Sequence, residues 1–128
     1  MSINPSSEGG IIVGVDDMFF SAKINAAAEA VGAKITRVRS AQELITLVEQ
    51  SGARLIIIDL NSAGLDPIST IRLLKSKAVL QTIPIIGFVS HVQVDLMNAA
   101  QQAGCDYVMP RSAFFNKLGQ LLAGRLET

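Results

Sequence analysis

The chain has 128 residues, and its 11 basic and 11 acidic side chains give a formal net charge of zero. The length suits one domain with a single core. The charge balance argues against a dedicated nucleic-acid binder, which normally carries a basic excess. No apolar stretch approaches the length needed to span a membrane. The single cysteine, Cys105, cannot form an internal disulfide, so a reducing, cytoplasmic setting is expected.

Residues 1–10 are polar and rich in Gly, Ser and Pro, which predicts a flexible leader before a single domain at 11–126. Short apolar runs then predict five strands. The predicted strands cover 11–15, 33–38, 54–59, 85–89 and 105–109. The helices predicted after them cover 18–31, about 41–50, 67–76, 94–103 and 112–126. The strand at 33–38 mixes polar with apolar residues, so it is predicted to lie at an edge of the sheet.

Local signals support the helix bounds. Ser40 and Glu43 have the spacing of a capping box, Pro67 suits a first helical turn, and Ser112 is predicted to cap the last helix. Gly32 stands where a helix often ends in a left-handed residue. Helical spacing places one set of apolar residues on the core-facing sides. That set is Phe20, Ile24, Ala27, Val31, Leu44, Leu47, Val48, Ile71, Leu74, Phe115, Leu118 and Leu122.

Alternation of strands and helices predicts an α/β fold, with a five-stranded parallel sheet covered by helices on both faces. Because crossover connections are right-handed, few topologies remain. The flavodoxin-like strand order 2-1-3-4-5 would place the first and third strands side by side, at the switch point where such sheets bind ligands.

The central strand runs directly into a carboxylate, Asp59. A buried carboxylate is costly unless it is paired or bound to a metal, so we expect Asp59 at a surface crevice, where it would be the reactive residue. The first strand also ends in acids, Asp16 and Asp17, and the predicted order brings these to the same crevice. Ser90 and Arg111 leave the ends of the fourth and fifth strands and face the same rim.

Three carboxylates in one crevice repel each other, and a divalent cation relieves that repulsion. Mg²⁺ needs only one or two carboxylates because it keeps several waters. With such an ion present, Asp59 could attack a phosphoryl group and form an aspartyl phosphate. Ser90 could then supply a hydroxyl and Arg111 a cation. Each acid could equally be a turn residue or a helix cap, and Ser90 and Arg111 could be ordinary surface residues.

Four segments together resemble the receiver domain of two-component response regulators, over nearly the whole length from Ile11 to Leu122. The segments are Val15-Asp16-Asp17, Leu55-Ile56-Ile57-Ile58-Asp59, Phe88-Val89-Ser90 and Gly104-Cys105-Asp106-Tyr107-Val108-Met109-Pro110-Arg111. Their order and spacing are more specific than any one of them alone.

The resemblance implies a role for each matching position. Asp59 matches the phosphoacceptor, Asp17 the acid that binds Mg²⁺ directly, and Asp16 its neighbour, which often acts through water. Asn61 matches the residue whose backbone carbonyl completes the metal site. Ser90 matches the hydroxyl that follows the phosphoryl group and drives the switch.

The chain also departs from the family's pattern. Arg111 and Ser112 stand where the family usually has Lys followed by Pro, and arginine is bulkier and forked. His91 stands where a small residue is usual, and Val108 stands where the switch aromatic is expected, with Tyr107 one position earlier and so on the other face of the strand. Ser62-Ala63 replaces the usual Met-Pro pair after Asp59.

Two functions follow from the resemblance. The first is a stand-alone or excised receiver that accepts a phosphoryl group on Asp59 from a histidine kinase or phosphotransfer protein and so switches the binding of a downstream protein. The second is a pseudo-receiver, which would bind its partner independently of phosphorylation. Neither is a dedicated enzyme, and neither implies direct contact with nucleic acid or membrane. A homodimer through the last helices and strands, with Phe114 in its surface, is a further expectation.

Two other functions fit the residues less well. A small flavin or nucleotide binder would need a Gly-rich phosphate loop after the first strand, where this chain has two acids that would repel phosphate. A hydrolase built on Ser90 and His91 would need a strained nucleophile turn of the Gly-x-Ser-x-Gly kind, which the sequence lacks.

Overall fold

The computed structural model describes residues 10–91 and 93–124. In this part of the chain, five parallel strands form one sheet in the order β2-β1-β3-β4-β5. The predicted α/β class and the order 2-1-3-4-5 are therefore confirmed. The predicted leader lies outside the described residues except for Gly10, and so does the predicted end of the last helix at Leu126.

The strands are short, and the three central ones are buried along their whole length. Their bounds are β1 (Ile11–Gly14), β2 (Ile35–Val38), β3 (Leu55–Asp59), β4 (Ile85–Val89) and β5 (Tyr107–Pro110). As predicted, β2 is a partly exposed edge strand. The prediction that the fifth strand begins at Cys105 is wrong. Cys105 donates its backbone N–H to Ala100 O at 3.0 Å and so closes the preceding turn instead of extending the ladder.

The helices begin and end close to the predicted residues, apart from the last one. They are α1 (Met18–Val31), α2 (Ala41–Ser51), α3 (Pro67–Ser76), α4 (Val94–Ala103), α5 (Arg111–Asn116) and α6 (Leu118–Leu122), with a short 3₁₀ helix at Ala63–Leu65. Ser40 Oγ accepts the Glu43 N–H at 3.1 Å, whereas Glu43 reaches back to the N–H of Arg39, one residue before the cap. No helix of the described residues is long and apolar enough to cross a membrane.

The prediction of one last helix capped by Ser112 is wrong. The helix begins at Arg111, directly after the extended Pro110, and Ser112 lies inside its first turn. It is interrupted at Lys117, where the backbone has φ −101° and ψ 4°. The Lys117 N–H is shared between the carbonyls of Ala113 and Phe114, which tightens the turn and separates α5 from α6.

The sheet separates two apolar clusters. Alternate residues of β3 point to opposite faces, so Ile56 and Ile58 pack under α2, α3 and α4. Leu55 and Ile57 pack with residues of α1, α5 and α6 on the other face. Burying this apolar surface is the main favourable contribution to folding.

Two predicted positions differ from the observed core. Val31 was expected on the buried face of α1 but is 41% exposed, because Ile24 and Ala28 supply the buried contacts of that helix. Phe114, expected in a dimer surface, is fully buried, and its ring stacks on Phe88 with centroids 4.5 Å apart. Phe114 is therefore a core residue and cannot form part of an exposed dimer surface.

Candidate functional site

The carboxyl ends of the parallel strands share one edge of the sheet, as predicted for the candidate site. Asp59 is the last residue of β3 and lies beside Phe88 of β4 in the parallel register. β1 ends two residues before Asp16, and Ser90 directly follows β4. Arg111 directly follows β5 and is the first residue of α5. The topology thus brings every predicted site residue to this rim.

Asp59 is only 6% exposed, although it lies at the end of its strand. Burial is the main cause that raises its pKa above the ordinary 3.8, while the N–H of Asn61 and the charge of Arg111 act in the opposite direction. The Asn61 N–H lies 2.9 Å from Asp59 Oδ1. The charges of Asp16 and Asp17 raise the pKa of Asp59 further. All three carboxylates therefore interact electrostatically.

Asp17 is the N-cap of α1. Its Oδ1 accepts the N–H of Phe20 at 3.0 Å, so one of the helix's first free donors is satisfied. The helix-cap interpretation of a strand-end acid therefore holds for Asp17. The bond occupies one carboxylate oxygen and leaves the other for a further ligand.

Asp16 is held by the loop that follows β3. Its Oδ2 accepts a hydrogen bond from the buried hydroxyl of Ser62 at 2.5 Å. Gly64 leaves room for this carboxylate, because a Cβ at that position would stand 3.3 Å from Oδ2. From the edge strand, Arg37 donates to the backbone carbonyl of Asp16 at 2.9 Å. These contacts fix the direction in which the Asp16 side chain points.

The donors at this rim suit a hydrated divalent cation better than a dehydrated one. In the described residues, no group of three His, Cys, Asp or Glu side chains is gathered closely enough to enclose a metal ion. Three carboxylates and a backbone carbonyl at Asn61 are nevertheless hard oxygen donors, the type that Mg²⁺ prefers. Because Mg²⁺ keeps most of its waters, it needs only one or two direct protein ligands. The residues therefore fit such an ion in their chemistry.

Ser90 belongs to a polar network that links the loop after β3 with the start of α4. Its N–H donates to Asn61 Oδ1 at 2.7 Å, and the Asn61 amide donates to Gln93 Oε1 at 2.9 Å. Its hydroxyl lies 3.4 Å from Gln93 Oε1 and 3.1 Å from His91 Nδ1. Ser90 therefore already has hydrogen-bond partners on its backbone and on its side chain.

Arg111 lies over an aromatic ring of α1. Its guanidinium carbon is 4.0 Å from the centroid of Phe20, within the range of a cation–π contact. Its Nε is buried and has no hydrogen-bond partner among the described residues. The two ion pairs found in that part of the chain join other residues, Lys75 with Asp106 and Lys77 with Glu49. Arg111 therefore affects Asp59 through its charge rather than through an ion pair.

Tyr107 and Val108 point to opposite faces of β5, as the alternation of a strand predicts. Val108 packs with the cluster under α2, α3 and α4, and Tyr107 packs with the cluster on the other face. Tyr107 therefore does not replace the aromatic residue expected at position 108.

Three residues that shape the site were not predicted to do so from the sequence. Ser62 was noted only as a departure from the family pattern, Phe20 only as a core residue, and Gln93 not at all. The position of Phe20 three residues after Asp17 was an available signal, because those two residues share the first turn of α1. Nothing in the sequence pairs Gln93 with Asn61, 32 positions earlier.

Cavities lined by described residues include three that lie away from the rim. A groove of about 480 Å³ lies between β2 and α2, another of about 340 Å³ lies between α1 and β2, and a third of about 260 Å³ lies beside Lys77. None of the three is lined by Asp59, Ser90 or Arg111. The flavin-binder hypothesis, which needs a cavity at the rim, gains no support from them.

Comparison with solved structures identifies the fold. A scan against models of protein families gives no match, and a search of curated proteins gives none either. A response regulator from Hahella chejuensis has a TM-score of 0.81 at 18% identity, covering 92% of this chain and 95% of that chain. The phosphorylated cyanobacterial phytochrome response regulator RcpA has a TM-score of 0.74 at 22% identity, covering 89% and 88%. The Mn²⁺-bound form of response regulator Rcp1 has a TM-score of 0.76 at 17% identity, covering 92% and 94%.

These likenesses extend over nearly the whole chain and over nearly the whole of each matching structure. The protein therefore has the fold of a response-regulator receiver domain, as the resemblance of its motifs implies. Its candidate site lies at the carboxyl edge of that fold.

Proposed function

We propose that the protein is a phosphoaccepting receiver domain in a phosphorelay. Asp59 would take a phosphoryl group from the phosphohistidine of a histidine kinase or phosphotransfer protein. The rim would then change, and with it the affinity for a downstream protein. The observation that carries this proposal is the nearly buried Asp59, which interacts with two further acids and with the cation of Arg111.

A divalent cation, Mg²⁺ by our expectation, would be held by Asp17, Asp59 and the backbone carbonyl of Asn61, with Asp16 acting through water. When bound, it would neutralise negative charge on the phosphoryl oxygens. The oxygen donors of this rim support the assignment, as does the Mn²⁺-bound form of the structurally similar Rcp1.

The transfer itself would need little from the protein beyond position and charge. A carboxylate oxygen of Asp59 would attack phosphorus and form the new O–P bond. The N–P bond of the phosphohistidine would break, and its electron pair would leave with the imidazole, which then takes up a proton. The Asn61 N–H would hold the Asp59 carboxylate in place, and Arg111 would face the phosphoryl oxygens.

Ser90 would report the phosphorylated state. Its hydroxyl now contacts Gln93 and His91 and would have to leave these partners to donate to a phosphoryl oxygen. Because Gln93 also contacts Asn61, this change would alter the network at the start of α4. Phosphorylation would thereby favour one of two arrangements of that surface. In this function the protein is a cytoplasmic signalling domain rather than a dedicated enzyme.

The proposal is tested by incubating the protein with Mg²⁺ and acetyl phosphate and measuring its intact mass. We expect a gain of one phosphoryl group that is absent from Asp59→Asn. A gain that persists in Asp59→Asn would contradict the assignment of the acceptor. If the wild-type protein gains no mass with acetyl phosphate or with any phosphorylated kinase, the proposal is wrong.

The second candidate is a pseudo-receiver, and the occupied state of Ser90 favours it. A hydroxyl that already has two partners suits a surface kept in one arrangement. This function predicts that a partner isolated with the wild-type protein binds Asp59→Asn with equal affinity. A phosphorylation-dependent difference in that affinity would exclude it.

A further inference from the structure

Arg111 stands where the resemblance leads one to expect a lysine, and it has an aromatic partner on a different helix. The guanidinium carbon lies 4.0 Å from the ring centroid of Phe20, and the buried Nε has no hydrogen-bond partner among the described residues. The ring thus gives this cation a defined contact. We propose that Phe20 positions the Arg111 guanidinium beside Asp59. The in-plane N–H groups of Arg111 would then face two of the oxygens of a phosphoryl group on Asp59.

The helix that carries Arg111 does not itself favour a cation at that point. Arg111 is the first residue of α5, where the helix dipole presents its positive end. The charge of Asp59 attracts this cation, and a further contact from outside α5 is needed to orient the guanidinium. The face of an aromatic ring supplies it, because the negative face of the ring quadrupole attracts a cation.

The ring of Phe20 is itself held in place. It packs against Phe115 of α5 with centroids 5.6 Å apart, whereas the exposed Phe19 meets it only in an edge contact. Its backbone N–H donates to Asp17, the N-cap residue, and so closes the first turn of α1. The Phe20 ring is therefore held by packing against α5 and by a capped helix turn.

The geometry suits arginine in particular. A guanidinium can stack with its flat face on a ring and keep its N–H donors in the plane, where they match two oxygens at once. The compact ammonium of a lysine does not need such a platform to reach an anion. Phe20 and Arg111 therefore act as a pair, in which Phe20 is the positioning residue.

The nearby ring of Phe19 provides a matched control. Phe19 is 66% exposed, and its ring lies 5.5 Å from Lys23 Nζ, so it belongs to a neighbouring cation. Phe19→Leu removes a ring of equal size from the adjacent position of the same helix. Phe20→Tyr retains the aromatic face and is the conservative variant.

The first measurement needs no phosphodonor. In ¹⁵N NMR spectra of the free protein, the Arg111 Nε–H signal is assigned by its loss in Arg111→Lys. We expect Phe20→Leu to shift this signal and to speed its exchange with water, and we expect Phe19→Leu and Phe20→Tyr to leave it close to wild type. An unchanged Arg111 signal in Phe20→Leu would overturn the proposal, whether or not Asp59 is ever phosphorylated.

The second measurement rests on the proposed function and is the rate of phosphorylation by acetyl phosphate with Mg²⁺. We expect Phe20→Leu to lower this rate about fivefold, as the loss of one cation–π contact allows. In the Arg111→Lys background, the same substitution should change the rate by less than about twofold, because lysine does not use the ring. An equal loss in both backgrounds would mean that Phe20 acts only through the general structure of α1, and the positioning role would be rejected.

The two measurements separate the failures of the two proposals. If the wild-type protein is never phosphorylated, the proposed function fails, while the NMR arm still decides whether Phe20 holds Arg111. If phosphorylation occurs but the NMR signal of Arg111 is unchanged in Phe20→Leu, only the positioning proposal fails.

Discussion

The two sides of the rim are built differently. On the acidic side, which consists of Asp16, Asp17 and Asp59, two of the three carboxylates are held by hydrogen bonds that are local in the sequence. Asp59 and Asp17 each accept a backbone N–H from two or three residues further on. On the switch side, which consists of Ser90, His91 and Arg111, the Ser90 N–H donates to Asn61, 29 positions away, and the Arg111 guanidinium lies over the distant Phe20.

This difference separates two kinds of constraint. Bonds from nearby backbone N–H groups depend on local chain geometry, so they persist through most changes of neighbouring side chains. Bonds between distant side chains depend on both partners, so one substitution removes them. The acidic side should therefore retain its chemistry under substitutions that reorganise the switch side.

The two sides of the rim can be compared only in variants whose fold is intact. The reactivity of the buried Cys105 thiol shows whether the fold is intact. Burial raises the pKa of its thiol from 9.0 to about 12. At mildly alkaline pH, the folded protein should react with a thiol reagent about a thousandfold more slowly than the urea-unfolded chain, because so little thiolate is present. Equal labelling rates for folded and unfolded protein would show that the site of Cys105 is open.

The same raised pKa gives the direction of a pH effect on stability. The folded protein holds the Cys105 proton more tightly than the unfolded chain does. The free energy of unfolding should therefore decline as the pH rises above 9.0, and Cys105→Ala should lack this part of the decline.

Asn61→Ala should disrupt the switch side. It removes the acceptor for the Ser90 N–H and the donor to Gln93. We expect the Ser90 amide to exchange with solvent about tenfold faster, because one hydrogen bond that protects it is lost. Hydrogen exchange followed by NMR measures this rate.

Gln93→Ala is the matched control for that change. It removes the side-chain contacts of Asn61 and Ser90 but leaves the bond to the Ser90 N–H, so exchange at Ser90 should stay close to wild type. If both variants exchange alike, the amide oxygen of Asn61 does not hold the switch side.

Asp59→Asn should stabilise the protein at neutral pH. Because the pKa of Asp59 in the folded protein lies above 3.8, burying its ionised form costs free energy. The wild-type protein should therefore lose stability, relative to Asp59→Asn, as the pH rises above 3.8. Removing the charge should raise the free energy of unfolding by about 1 kcal/mol at neutral pH. Urea denaturation measures this difference, which should shrink towards pH 3.8 and disappear below it.

Asp95→Asn makes the same chemical change at an exposed site in the first turn of α4. It should not raise the free energy of unfolding, since a negative charge there interacts favourably with the helix dipole. Equal stabilisation of both variants would mean that burial of Asp59 is not the cause.

Ser62→Ala tests the long-range bond to the carboxylate of Asp16. It removes the hydroxyl that donates to Asp16, and we expect a loss of up to about 1 kcal/mol in the free energy of unfolding, since the exposed Asp16 can turn to water. Ser76→Ala, which loses an exposed bond to a backbone carbonyl, should lose less than about half as much. A larger loss of stability in Ser76→Ala than in Ser62→Ala would mean that the bond from Ser62 to Asp16 does not stabilise the rim.

Most of the fold could be predicted because its signals are local. Buried apolar runs predict the central strands, and their alternation with helices restricts the sheet to few topologies. The start of β5 and the interruption at Lys117 could not be predicted. They depend on backbone bonds to Ala100 and Phe114 that no pattern in the sequence indicates.

The candidate site likewise contains residues that local signals predict and residues whose roles depend on tertiary contacts. Asp59, Asp16 and Asp17 could be placed on one rim because each follows an apolar run at the end of a strand. The roles of Ser62, Gln93 and Phe20 could not be predicted, since each depends on a partner that the fold brings close. The contact of Arg111 with Phe20 joins positions 91 residues apart, and no periodicity in the sequence relates them.

The separation of the core by the sheet has a consequence for protein engineering. Substitutions in the helices on one face, such as at Leu74, share no packing cluster with substitutions in the helices on the other face, such as at Leu118. Their effects on stability should therefore add, as they do for independent sites. The helices on either face could be redesigned one face at a time, with the strand backbone as a fixed partition between two separate interiors.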